Sequence, residues 1–218
     1  MTIMAACIVG CQYIPSIEYF AHWIHHEHIM IEAHEHFQKR SWRNKTAILG
    51  PVKPLILSVP LKKGKHNQMP VQDVAISYDE PWHRVHFNSI NSTYGKTAYF
   101  MEMEEDLRNL LFSQPARLWD LNIRFLEFIL SFLPAQMTFE LTTDYNESAP
   151  FHLPDLRKGI PAGISTIPDE LVPSYEQVQR LNNSHQPNLS ILDALCHLGP
   201  HTGDYLKRYA AQLYPQQC

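Results

Sequence analysis

Between Glu32 and Lys45 the chain crowds together groups able to do chemistry, with Phe37 and Trp42 set among them. His34 and His36 alternate, so in an extended segment both imidazoles point the same way. That suits two ligands of one metal ion, with His86 or Glu32 as a third. It also suits a general base held by Glu35 or Glu32, or two structural histidines fixed by hydrogen bonds. Lys39, Arg40 and Arg43 can hold an anion, because a guanidinium gives two parallel hydrogen bonds to phosphate or carboxylate. Alternatively these cations pair with Glu18, Glu32 and Glu35 and fix the fold. Gln38 and Asn44 are amides suited to orienting a substrate.

The elements that must position these groups are legible on either side. Ala5 to Gly10 is short and apolar and reads as a buried strand. Ser16 is a good N-cap for a helix whose first turn holds Glu18. Tyr19, Phe20, Trp23 and Ile24 then form one apolar face, up to about Glu27. Ile29 to Ile31 reads as a second strand. Strand, helix and strand predict a βαβ unit with a right-handed crossover. Its strand ends bring Gln12, Tyr13 and the Glu32–His36 stretch to the carboxyl edge, where ligands bind in open α/β sheets. The helix start at Gln12, Tyr13 and Ser16 would attract an anion. Only Gly10 lies nearby, so the dinucleotide fingerprint and the P-loop are both absent.

Further along, Thr46–Leu49 and Leu55–Val59 read as two strands and the cationic Lys62–Gln68 as a solvated loop. Val71–Tyr78 alternates weakly, like another strand. A helix begins at Glu80-Pro81, carries Trp82, His86 and Ile90, and breaks at Tyr94-Gly95. Ala98–Ser113 and Leu118–Leu133 predict a helical hairpin. Met137–Thr142 alternates like a strand, and residues 146–175 form a proline-rich wrapping segment. Leu189–Leu198, with Ser190 as cap, and Thr202–Tyr214 are the last helices. The expectation is a single α/β domain over 1–218. Residues 1–80 hold a βαβ-containing sheet and residues 81–218 are mainly helical.

Net charge is -4, which argues against a general nucleic-acid binder. No apolar run approaches the ~18 residues of a membrane span. The first ten residues lack a cationic start, unlike a signal peptide. Cys7, Cys11, Cys196 and Cys218 show no CxxC spacing, which reads as reduced, cytoplasmic usage. Cys7 is expected in the core; Cys11, nearer the edge, would be reactive only with a depressed pKa. No serine nucleophile elbow is present. His22, His25, His26 and His28 lack the order of a zinc protease motif and read as a solvated helix end. Trp82, Tyr94 and Tyr99 either wall a sugar site or pack the core. A homo-oligomer is compatible with all of this.

Several stretches, in order, resemble the WbqC-like protein family. They are Gln12-Tyr-Ile-Pro-Ser-Ile-Glu-Tyr-Phe20, His34-Glu-His-Phe-Gln-Lys-Arg-Ser-Trp-Arg-Asn44 and Leu57-Ser-Val-Pro-Leu61. Trp82 with His86, Tyr94, Tyr99-Phe100, Ser190-Ile-Leu-Asp193 and Leu198-Gly199 extend the likeness. The resemblance implies a bacterial, cytoplasmic protein. It also implies acyl or aminoacyl transfer to an amino sugar, since some relatives are encoded with surface-polysaccharide genes. It supplies neither a catalytic residue list nor a cofactor, and the His-Glu-His form matches only a subset of members.

The resulting expectation is a small-molecule transferase. His34, His36 and His86 would do chemistry, with Gln12, Tyr13, Ser16, Gln38, Lys39, Arg43, Asn44 and Trp82 around an anionic or nucleotide-sugar substrate. The alternatives are a metal-dependent hydrolase built on His34 and His36, and a non-enzymatic ligand-binding protein.

Overall fold

The computed structural model describes residues 6–26, 28–64, 69–149, 153–158, 160–178 and 185–215. Ala5, Glu27, the last part of the cationic loop (65–68), Pro150 and Cys218 lie outside the described residues. The fold is α/β. Strand β1 (Ala6–Gly10), helix α1 (Ile17–His26) and strand β2 (His28–Glu32) form the expected βαβ unit. β1 and β2 pair in parallel, with Ala6 opposite His28 and Gly10 opposite Glu32. Strand β5 (Thr138–Leu141) adds in parallel beside β2, and the two-residue β6 (Asp155–Leu156) adds in parallel beside β1. The sheet order is therefore β5-β2-β1-β6. Strands β3 (Lys45–Ile48) and β4 (Leu55–Ser58) make a separate antiparallel hairpin.

Helix α1 is buried on nearly every side, from Ile17 through Ile24. Such a helix needs cover on two faces. The sheet supplies one, and α6 (Thr202–Leu213) packs along the other. Phe20 stacks on Trp23 with 5.7 Å between ring centres, and Trp23 donates its indole N–H to the Thr138 carbonyl at 3.0 Å. Full burial of a side chain such as Phe20 stabilises the fold by roughly 1.5–3 kcal/mol. The second half contributes α2 (Trp82–Tyr94), α3 (Glu104–Phe112), α4 (Leu118–Leu130) and α5 (Ile191–Leu198). Ser190 caps α5 by accepting from the Leu192 amide. Among the described residues no helix is long and apolar enough to cross a membrane.

Three local expectations are corrected. Val71–Tyr78 is not a strand: it opens with a 3-10 turn over Val71–Asp73 and then makes only isolated bridges, Leu61 to Ile76 and Ala75 to Arg117. The helix expected over Ala98–Ser113 is broken into a 3-10 turn over Phe100–Glu102 and then α3. The wrapping segment is not wholly irregular, because it supplies β6.

The histidines of α1 are not a solvated end. His22 and His26 are buried, and their ring nitrogens lie 2.7 and 3.2 Å from the Tyr214 hydroxyl, while His25 stacks on the Tyr214 ring. Burial pushes both His22 and His26 down to about 4.

Candidate functional site

All four strands of the sheet run the same way, so Gly10, Glu32, Leu141 and Leu156 end at one edge. From β1 the chain moves to β2 on one side and returns later to β6 on the other. Strand order thus changes direction at β1, and such switch points form crevices at the carboxyl edge.

Two buried ion pairs floor this crevice. Arg43 is 4% exposed and donates Nε to Glu35 Oε1 at 2.8 Å, with a second bond from Nη2 to Oε2. Burial pushes the Glu35 carboxyl up, and the Arg43 hydrogen bonds oppose that shift. Arg157 donates to Glu32 at 3.0 Å and to Asp155 at 2.9 and 2.6 Å. It also donates to the backbone carbonyls of Asn146 (2.7 Å) and Glu147 (3.1 Å). Glu32 is completed by the Thr142 hydroxyl at 2.8 Å and the His34 amide at 2.9 Å. Gly10 lies against this floor: a Cβ there would sit 3.1 Å from Arg43 Nη2 and 3.3 Å from Glu35 Oε1. Glycine is the residue that lets the ion pair approach the strand end.

Above the floor lie two neighbouring cavities. One, of about 290 Å³, is walled by Gln12, Gln38, Lys39, Arg40, Ser41 and Trp42, and by Lys158 and Ile160 after β6. The other, of about 380 Å³, is walled by Glu35, His36, Phe37, Gln38, Lys39 and Tyr145. Gln38 and Lys39 belong to both. The 38–43 segment is shaped locally. Ser41 donates to the Gln38 carbonyl at 2.6 Å and caps the turn Trp42–Asn44 by accepting from the Arg43 amide. Arg40 holds a left-handed φ of 62°, a conformation costly for a side chain other than glycine. Among the described residues no carboxylate comes within 4 Å of the charged nitrogens of Lys39, Arg40 or Lys158. The rim is cationic, while on the floor the carboxylates of Glu32, Glu35 and Asp155 are held by the guanidiniums of Arg43 and Arg157.

Of the residues singled out from sequence, Gln12, Glu35, His36, Gln38, Lys39, Arg40 and Arg43 border these cavities. Arg43 does so with its fork already spent on Glu35, so the pairing alternative describes it better than anion binding. His34 is exposed at the edge but walls neither cavity.

The others lie elsewhere. Tyr13 is fully buried, and its hydroxyl meets His86 Nδ1 at 2.9 Å. His86 is 3% exposed and packs edge-on against Trp82. Burial pushes His86 down to about 4, opposed by a backbone hydrogen bond at Ser58. These three form a core cluster and wall neither cavity. Ser16 is buried under the 188–190 segment, where Leu189 O and Asn188 Oδ1 take the first amides of α1 at 2.8 and 2.9 Å. That helix start is closed to an anion. Asn44 donates to the Val59 carbonyl at 2.9 Å and holds the β3–β4 hairpin. Tyr94 is core, its hydroxyl accepting from the Leu49 amide. Cys7 and Cys11 are buried and pushed up to about 12, which leaves Cys11 without thiolate reactivity. Among the described residues no three His, Cys, Asp or Glu side chains gather as a metal site.

Sequence reasoning missed Tyr145, Arg157 and Lys158. The Arg157-Lys158 pair within an otherwise proline-rich run was the available signal.

The model of the WbqC-like protein family matches residues 11–156. The chain belongs to the WbqC-like protein family. The family match runs from Cys11, just after β1, to Leu156, the last residue of β6. It thus includes the 38–43 segment and the floor acids Glu32, Glu35 and Asp155, and stops just before Arg157 and Lys158. A relative in Mycobacterium tuberculosis (strain ATCC 25618 / H37Rv), "Uncharacterized protein Rv1507c", is 26% identical over 229 residues, covering 94% of this chain and 98% of its own length. No solved structure gives a significant match.

Proposed function

We propose that this WbqC-like protein is a cytoplasmic small-molecule transferase that binds an anionic substrate at the carboxyl edge of its sheet. The observation that carries the reading is the pair of cavities sharing Gln38 and Lys39. One is cationic, and the other carries an imidazole. Lys39, Arg40 and Lys158 hold a phosphate, and Gln38 orients the group between the two spaces. A cationic rim over a floor whose arginines are already bound to carboxylates favours a ligand that brings its own negative charge.

The transfer class, acyl or aminoacyl transfer to an amino sugar of a surface polysaccharide, rests on the family resemblance. In that reaction the amine attacks the carbonyl carbon of an activated acyl group. A new N–C bond forms and the bond to the leaving group breaks. His36 takes the proton from the attacking nitrogen and returns it to the leaving group. Titration calorimetry with inorganic pyrophosphate tests the anion site. Saturable binding that is lost in a Lys39→Ala, Lys158→Ala double variant is expected, and a wild-type protein that gives no binding heat overturns it. His36→Ala that folds normally and keeps full transfer activity overturns the role of the base.

A further inference from the structure

Tyr145 is an aromatic residue left 49% exposed, yet it is held in place. The guanidinium of Arg157 lies 5.5 Å from its ring centre. The same Arg157 grips the two residues that follow, through the carbonyls of Asn146 and Glu147, and is itself anchored on Glu32 and Asp155. A surface tyrosine normally swings freely, and cation–π stacking plus a pinned backbone removes much of that freedom. The rest of the ring borders the cavity that contains His36, beside Gln38 and Lys39. Of the aromatic residues read from sequence as a possible sugar wall, Trp82 and Tyr94 are buried in the core, and Tyr99 is half-buried and borders a different cavity, beside Met103 and Gly199.

We infer that Tyr145 is the platform on which the pyranose ring of a sugar phosphate stacks, with its phosphate directed to the neighbouring cationic cavity. The inference rests on the anion-site reading above and names the substrate class that site takes. Three features of the pocket favour a ring bonded directly to phosphate. The two cavities adjoin through Gln38 and Lys39, so ring and anion must be close together. The volume of about 380 Å³ suits one ring and its substituents. The C–H face of a pyranose packs on an aromatic plane, and its hydroxyls and amine find Gln38 and His36. Tyr145 does not itself react; it sets where the amine lies relative to the imidazole.

The test compares inorganic phosphate, glucosamine 1-phosphate and uridine monophosphate as ligands in calorimetry. The wild-type protein is expected to bind glucosamine 1-phosphate about tenfold more tightly than phosphate. Tyr145→Ala, with Tyr145→Leu as a second variant that retains bulk, is expected to erase that gain and leave phosphate affinity unchanged. Tyr145→Phe is expected to restore it. Phosphate binding without any gain from the sugar, or an equal loss for both ligands in the variants, overturns the Tyr145 platform while the anion site stands. Uridine monophosphate taking the gain in place of the sugar phosphate overturns the sugar assignment. A wild-type protein that binds none of the three overturns the anion site and the platform together.

Discussion

The two edges of the parallel sheet present similar groups in opposite states. At the amino edge, where α1 leads into β2, His22, His25 and His26 close around Tyr214. The imidazoles at His22 and His26 are buried and pushed down to about 4, so at neutral pH they pack as uncharged rings. At the carboxyl edge two arginines are equally buried, but carboxylates accompany each one. The cations that remain sit on the rim and face open cavities. A high density of reactive residue types therefore does not mark a site. What marks one is the set of groups whose partners the fold does not supply.

The sharpest way to break this contrast is to cut the floor. Arg43→Ala leaves the Glu35 carboxylate buried without its partner and is expected to cost about 3–5 kcal/mol in urea unfolding. A loss near zero would mean that Glu35 has other support, and the division into floor and rim would fail. Next in size is the pH response of the buried imidazoles. His22, His26 and His86 all bind protons more weakly folded than unfolded. Between pH 6.5 and about 4 the unfolded chain therefore holds more protons, so stability falls as pH falls through that window and is complete above it. The contribution lost by pH 5 reaches up to about 2 kcal/mol per fully buried imidazole, and urea midpoints at pH 7.5 and pH 5 measure it.

A smaller effect tests the rim. The Lys39→Ala, Lys158→Ala double variant is expected to weaken pyrophosphate binding at least about tenfold. Its stability should stay within about 0.5 kcal/mol of wild type, because both are surface cations and, among the described residues, neither has a carboxylate within 4 Å. An unfolding midpoint that drops as far as that of Arg43→Ala would place these lysines in the floor. The smallest expected change is Asn44→Ala. It removes one hydrogen bond to Val59, costs about 1 kcal/mol and leaves pyrophosphate affinity untouched. A large loss of binding there would return Asn44 to the ligand site.

Much of this organisation is legible in the chain because it is local. The apolar β1, the amphipathic α1 and the apolar β2 follow one another within about thirty residues, and their spacing alone sends Gln12 and the 32–36 stretch to one edge. Gln38 and Lys39 reach the cavities for the same reason. Partner choice was not legible. Arg43 carries the same charge as Lys39, and only the depth of each side chain decides that one meets Glu35 and the other meets solvent. His86 was placed with His36 on chemistry, yet α2 turns it inward to Tyr13. β6 has two residues, too few for any periodicity, and its partner β1 lies at the other end of the sequence. Tyr145 therefore carried no local sign of its role, and the Arg157-Lys158 pair showed only as two cations in a proline-rich run.

The far wall of the cationic cavity has a consequence for how the protein is made. Gln12 and Ile160 meet through a hydrogen bond that spans 148 residues. On the ribosome, β1, α1 and β2 emerge early and can pair while the chain is still growing. The cavity does not exist until the segment carrying Lys158 and Ile160 has left the exit tunnel and docked beside β1. Contacts this distant in sequence close slowly. On the proposed reading, anion binding would be acquired late in synthesis, because nascent chains shorter than this segment carry Lys39 and Arg40 without Lys158 or the far wall.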